Sequence, residues 1–336
     1  MNDSLTVLCK ALKKKDNFLL ASHVNPEGDA VASVLALDSL LRRLGKKTLI
    51  VCEDPFPERL NCLPSDRWHE VKDVPASRKF DALVVADCPV LERIGSVQKL
   101  LTAKTEIFNI DHHVSNTRFG HHNYVQPKAS ACGEVVYEIF EHFKMKLNKD
   151  EAMALYVSIS TDTGSFKYSN TTVKSHLVAS KLIQTGIDIE KINDALYATY
   201  SFEKIQLYSL LLGKVESSRD GTVAWVKLTC DDLKKTGATY EDTEGFIDFL
   251  RYLKEVRFCF FLSELPAPSP SQVRVSLRSK DSYDVSKVAV YFGGGGHKKA
   301  AGCTINGTLE EATKKILERI DYELARQSSK ARVMAK

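Results

Sequence analysis

The stretch FLLASHVNPEGDAVASVLALDSLLRRLGKKTLIV, residues 18–51, decides the fold. It opens on a short apolar run, FLLAS, and crosses a polar turn. It then continues as VASVLALDSLLRRLGK, apolar at helical spacing and closed by Gly45, before a second apolar run, KTLIV. Runs of this length read as strands, and a 3.6-residue period stopped by glycine reads as a helix. Strand, crossover helix and strand form the repeating unit of a parallel sheet. DALVVAD (81–87) and EIFNID (106–111) extend that sheet.

Helical patterns follow at 132–143, 151–162, 172–186 and 189–200, and another at 201–214 reads as a connector. The pattern then changes to TVAWVKL (222–228), a helix over 241–253, VRFCFFLSEL (256–265) and QVRVSLRS (272–279). YFGGGGHKKAAG (291–302), a short strand and a helix over 308–325 complete it. At 336 residues the chain exceeds one ordinary core. The expected fold is α/β: an N-terminal parallel-sheet domain with flanking helices (1–195), a helical linker (196–215) and a smaller α+β C-terminal domain (216–330). Two domains imply a cleft.

Composition narrows the function. Hydrophobic residues make up 43% and charged residues 27%, and no apolar run is long enough to cross a bilayer. The N-terminal 17 residues read as an amphipathic helix rather than a secretory leader, so a cytoplasmic location is expected. Eight cysteines without a CxxC pair argue against a zinc knuckle or a redox dithiol. Lys and Arg exceed Asp and Glu by only four, too few to coat long duplex DNA but compatible with a short anionic ligand. The basic end, RQSSKARVMAK (326–336), reads as a frayed tail.

The chemistry-bearing residues gather at the carboxyl ends of the expected strands. His23, Glu27 and Asp29 follow the first run, Asp87 ends DALVVAD, and Asp111, His112 and His113 end EIFNID. Asp162 closes the helix AMALYVSISTD. Ligands of open α/β sheets bind outside the carboxyl ends of the strands, so these groups should share one crevice. An acid at a strand end is most often a turn or cap residue, but two adjacent histidines there are harder to explain as packing. Four carboxylates (Glu27, Asp29, Asp87 and Asp162) held together would raise one another's pKa unless cations neutralise them. Two divalent cations would do so. Imidazole among hard oxygens favours Mn²⁺, with Mg²⁺, Co²⁺ or Zn²⁺ behind it. A metal pair suits in-line hydrolysis of a phosphoester by activated water. His69, His121, His122, His142 and His176 are read as packing or surface residues. Phe166 is offered as a base-stacking ring with core packing as its alternative.

In the second domain, Gly293, Gly294, Gly295 and Gly296 lead into His297 and an expected helix beginning HKKAAG, where backbone N–H groups could hold an anion. Arg278 and Ser279, on the preceding strand, stand beside them.

Four motifs occur in order: HVNPEGDAVAS, VVADC, NIDHHVSN and STDTGSFKYSNTT. With VSLRS and FGGGGHKKAAG they closely resemble the DHH phosphoesterase family over residues 16–325, and within it the group of nanoRNases and 3′-phosphoadenosine-5′-phosphate phosphatases. The resemblance implies that His23, Glu27 and Asp87 hold one metal and Asp29, Asp87, His112 and Asp162 the other, with Asp87 bridging. It further implies that Asp111 orients a histidine, that His113 faces the scissile phosphate, and that the Arg278 strand and glycine loop grip the distal nucleotide. The commoner family residue at position 27 is aspartate. The implied activity is hydrolysis of short oligoribonucleotides to mononucleotides, with removal of the 3′-phosphate of 3′-phosphoadenosine 5′-phosphate. A cyclic or linear dinucleotide phosphodiesterase is the alternative, and a degenerate nucleotide sensor comes third. The expected partners are short single-stranded oligonucleotides or nucleotides, not membranes or long duplex DNA, with a homodimer left open.

Overall fold

The computed structural model describes residues 3–75, 77–198, 200–266, 271–280 and 283–334. The chain forms two compact units, Met1–Thr199 and Tyr200–Lys336.

The first unit is built on strands β1 (Asn17–Ala21), β2 (Lys47–Cys52), β3 (Trp68–Glu70), β4 (Ala82–Ala86), β5 (Glu106–Asp111) and β6 (His122–Val125). Their spatial order is β3-β2-β1-β4-β5-β6, and every pair is parallel. The order reverses between β1 and β4, a topological switch point where two connections diverge and leave a crevice. Both faces are buried, which explains why the central strands are continuously apolar rather than alternating. Phe18, Leu20, Val84 and Phe108 face helices α1 (Leu5–Lys13), α2 (Gly28–Arg43), α3 (Cys132–His142), α4 (Lys149–Asp162) and α5 (Val173–Ile183). Leu19, Ala21, Leu83 and Val85 face the other way, onto Ile94, Val97 and Leu100. Helix α6 (Ile189–Tyr197) closes the unit and buries only Ile192. Strands β3 and β6 were not expected. Both are short edge strands, and HNYV carries no apolar run that would announce β6.

The second unit begins with helix α7 (Phe202–Leu212). This stretch was expected as a connector. Its Leu207, Tyr208 and Leu211 are instead buried in a core with Val226, Phe246 and Phe261. A second six-stranded sheet follows: β7 (Glu216–Ser217), β8 (Val223–Leu228), β9 (Phe258–Glu264), β10 (Gln272–Ser279), β11 (Gly295–His297) and β12 (Ala300–Asn306). Its order is β11-β12-β10-β9-β8-β7, with only β8 and β9 parallel. One face carries α10 (Ser286–Tyr291) and α11 (Leu309–Met334) over Phe260, Val275 and Leu277. On the other, α7, α8 (Cys230–Thr236) and α9 (Phe246–Tyr252) belong to the core formed with β8 and β9. The helix expected at HKKAAG is a tight antiparallel hairpin, in which Gly295 pairs with Gly302 and His297 with Ala300. The anion nest at a helix N-terminus is therefore withdrawn, because strand pairing takes the backbone that a helix would have used.

Candidate active site

At the switch point, β1 delivers His23, β4 delivers Asp87 and β5 ends in Asp111, with His112 and His113 just beyond. Helix α2 starts directly after the first loop and carries Asp29 in its first turn. Its N-terminus lies against the end of α4, where a Cβ on Gly28 would stand 2.5 Å from the Thr161 Cγ2. That close helix approach brings Asp29 and Asp162 to one place although they are 133 positions apart.

His112 is the hub. Its Nε2 lies 3.4 Å from Asp87 Oδ1, 3.6 Å from Asp29 Oδ2 and 3.6 Å from Asp162 Oδ2. Its Nδ1 donates to the Ala129 carbonyl at 3.2 Å, which leaves Nε2 as the atom turned to the carboxylates. His23 Nε2 stands 3.8 Å from Asp87 Oδ2, and its Nδ1 donates to the Val24 carbonyl at 2.8 Å. Asp111 is fully buried and accepts from the His112 N–H, from His113 Nδ1 at 2.8 Å and from the Asn116 amide. Asn170 donates to the Asp162 carbonyl oxygen and carboxylate and to the Ser130 carbonyl, holding the end of α4 in place.

Asp29 is held by α3 and α4. Cys132 N and Gly133 N, at the start of α3, donate to it at 2.7 and 3.2 Å, and the Ser33 and Ser158 hydroxyls donate at 3.0 and 2.5 Å. Asp87 adopts a left-handed backbone (φ 54°), a conformation costing a non-glycine residue about 1–3 kcal/mol unless its surroundings enforce it. Its Oδ1 is buried and has no hydrogen-bond partner.

The electrostatics show what the cluster lacks. Burial and the Asp87 and Asp162 carboxylates push Asp29 up to about 8, and burial with Asp87 raises Asp162 to about 6. Burial opposes the charged form of His112, but the Asp87, Asp29 and Asp162 carboxylates outweigh it and lift the imidazole to about 10. Without cations the cluster keeps protons it would otherwise release. The donor set of buried carboxylates and an imidazole, with one orphaned carboxylate oxygen, suits divalent cations. Among the described residues, ligand atoms of Asp87, Asp111, His112 and His113 form one tight group and those of Asp29, His112 and Asp162 another.

Two residues stand apart from these groups. His23 adjoins Asp87 without joining either set, and Glu27 is exposed at the N-cap of α2, where its side chain makes no capping bond. Glu27 still acts on the cluster through its charge, which adds to the rise in the Asp162 pKa. Phe166 packs against the first core and stacks on His176 at 5.0 Å, as its core alternative anticipated.

In the second unit, a groove of about 630 Å³ runs along β10 and β12, lined by Arg278, Ser276, Arg274, Thr304 and Gly293 to Gly296. Ser279 does not line it. Its buried hydroxyl donates to the Tyr283 and Lys298 carbonyls, so it pins a loop. The backbone of His297 lies in β11, and its side chain is outside the described residues. Sequence reasoning missed Asn116, Ser158, Asn170 and Arg274. Asn116 and Asn170 lie inside motifs already quoted, and Arg274 shares a strand face with Arg278 by period two.

A match to the DHH family, N-terminal domain, covers residues 17–159, and a match to the DHHA1 domain covers 222–326. The bifunctional oligoribonuclease and PAP phosphatase NrnA of Thermus thermophilus is 30% identical over 328 residues, 96% of this chain and 95% of the relative. The protein of the same name from Bacillus subtilis is 30% identical over 306 residues, 89% of this chain and 93% of the relative. The crystal structure of an exopolyphosphatase-related protein from Bacteroides fragilis superposes with a TM-score of 0.88 at 27% identity, covering 96% of each chain. With both domains matched and a relative of this identity along almost its whole length, the chain belongs to the DHH family of phosphoesterases, a family of hydrolases.

Proposed function

We propose that this chain is a Mn²⁺-dependent phosphoesterase that hydrolyses oligoribonucleotides of about two to five units to mononucleotides, a length suited to a small groove rather than an extended channel. It also removes the 3′-phosphate of 3′-phosphoadenosine 5′-phosphate, and it works in the cytoplasm. Among the described residues no helix is long and apolar enough to cross a membrane. The observation that carries the reading is His112 Nε2 within 3.6 Å of three carboxylates, beside an Asp87 oxygen that no protein donor satisfies. Relatives named as oligoribonuclease and PAP phosphatase support the substrate class.

In this reading His23, Glu27 and Asp87 hold one cation, and Asp29, Asp87, His112 and Asp162 the other. When bound, the cations supply charge neutralisation and acidified water for attack at phosphorus. The remaining work belongs to side chains. Asp111 accepts from His113 Nδ1 at 2.8 Å, which orients the ring and leaves Nε2 for the substrate. The ring hydrogen-bonds the scissile phosphate and gives its proton to the leaving oxygen. Arg278 and the glycine run take the nucleotide that is not being cut.

The test is turnover by purified protein with Mn²⁺, using 5′-phosphorylated oligoadenylates, 3′-phosphoadenosine 5′-phosphate and cyclic dinucleotides side by side. Release of AMP from the short linear oligomers is expected. No product from them, or faster turnover of the cyclic compounds, overturns the assignment.

A further inference from the structure

The stretch 129–133, where the chain enters α3, reaches every member of one of the two ligand groups. The Ala129 carbonyl accepts from His112 Nδ1 at 3.2 Å. The Ser130 carbonyl accepts at 3.0 Å from the Asn170 amide, the same amide that donates to Asp162. Cys132 N and Gly133 N donate to Asp29. Asp29, His112 and Asp162 are together the second ligand group. They come from α2, the end of β5 and the end of α4, and this short loop is their common support.

One side-chain bond ties the loop to the helix that follows it. Ser130 Oγ donates to Glu134 Oε1 at 2.5 Å, and both residues are fully buried. Glu134 stands in the first turn of α3, where the helix dipole favours an acid. Its other oxygen, Oε2, is buried with no hydrogen-bond partner. Burying a carboxylate this completely is costly, and an apolar side chain of similar volume would serve packing better. Glu134 lies outside both ligand groups and touches no member of the cluster through its side chain among the described residues. What it holds is the hydroxyl of Ser130, inside the supporting loop.

We infer that Glu134 and Ser130 are positioning residues for one cation site. Their hydrogen bond fixes the 129–133 loop, and the loop sets Asp29, His112 and Asp162 at the spacing a divalent ion requires. Resting on the two-cation reading above, the pair acts on one ion alone. Breaking the bond loosens the ion held by Asp29, His112 and Asp162 and spares the ion on the His23 side.

The test is calorimetric titration with Mn²⁺ of the full chain, stripped with EDTA and dialysed. S130A and E134A should each weaken one of the two ions about tenfold and leave the other within about twofold. S130A removes a hydroxyl alone, so it reads the bond even where E134A does not fold. The double variant should lose no more than E134A, because the two side chains share one bond. E134Q keeps an oxygen for the Ser130 hydroxyl, so the affinity should return to within about threefold of native. Its urea midpoint should still fall, because the amide leaves buried N–H groups unpaired. A packing role would do the reverse, lowering stability in E134A with both Mn²⁺ affinities unchanged. Native affinities in S130A, equal weakening of both ions, or E134Q no better than E134A overturns the inference. A native chain that takes up no second ion refutes the two-cation reading itself, and the positioning role with it. Two ions bound by the native chain without turnover refute the nuclease reading and leave Glu134 and Ser130 to be judged on binding.

Discussion

Gly133 offers a direct test of how α3 and α4 build the site. Its N–H donates to Asp29 and to the Ser158 hydroxyl, and Ser158 donates in turn to Asp29. A Cβ at this position would stand 2.0 Å from Ser158 Oγ and 2.6 Å from Ser158 Cβ. Rotating the hydroxyl relieves the first contact but not the second, so in Gly133→Ala the two helices must move apart by about 1 Å. Overpacking of this kind costs about 1–3 kcal/mol, and leaving a buried hydrogen-bonding group around Asp29 without its partner about 1–3 kcal/mol more. The sum, about 2–6 kcal/mol, is a large share of the ~5–15 kcal/mol that holds a domain together. Urea unfolding of the metal-free protein measures it. Ser158→Gly removes the clashing atoms and alone costs about 2–4 kcal/mol, through the lost bond and a glycine inside a helix. The double variant should then lose less than the two single losses added, by a coupling of about 1–3 kcal/mol, the overpacking that Ser158→Gly relieves. Strictly additive losses, or a Gly133→Ala protein as stable as the native one, would show that the helices do not meet as described.

Three further expectations follow from the same geometry. His112→Ala removes the imidazole that three carboxylates surround, so turnover should be lost and bound Mn²⁺, measured by calorimetry, should fall from two ions towards one; native stoichiometry with native activity would refute the hub. Asp111→Asn takes away the carboxylate that orients His113 and raises its pKa, so kcat should fall about a hundredfold with KM little changed, and the alkaline limb of the pH profile should move to lower pH. An unmoved limb would count against His113 as the proton donor. In the metal-free protein, Asp29 near 8 and His112 near 10 both lie above their unfolded values, so the native state binds more protons and their stabilisation is lost as pH rises through those values. The urea midpoint should therefore decline from about pH 6 to 10 without metal and stay nearly flat with saturating Mn²⁺, whereas a midpoint that rises over this window would contradict the clustering.

Much of the site was legible because its residues sit at boundaries that local pattern reveals. FLLAS, DALVVAD and EIFNID end where β1, β4 and β5 end, give or take a residue, and each is followed directly by a group at the site. Ser279 was misjudged for the converse reason. Its place beside Arg278 suggested a shared role, but successive residues on a strand face opposite ways, and Ser279 points into the structure. Glu27 shows a finer limit: the chemistry of its side chain was plain, while its exposed position at the start of α2 depends on how the loop is pinned, with Val24 N donating to the Arg93 carbonyl and Asn25 N to Asp54.

The sequence by itself determined the parallel sheet, the helices that cross it and the strand ends where acids and imidazoles collect, because apolar periodicity and chain breaks are local and each element carries its own signal. The folded chain alone shows that Asp29 is gripped by α3 and Ser158, that HKKAAG turns as a hairpin, that α7 is core, and that a groove along β10 and β12 is lined by Arg274 and Arg278. Those outcomes depend on helix crossings and strand pairings between residues far apart in the chain, whose energies arise only when the distant partner arrives.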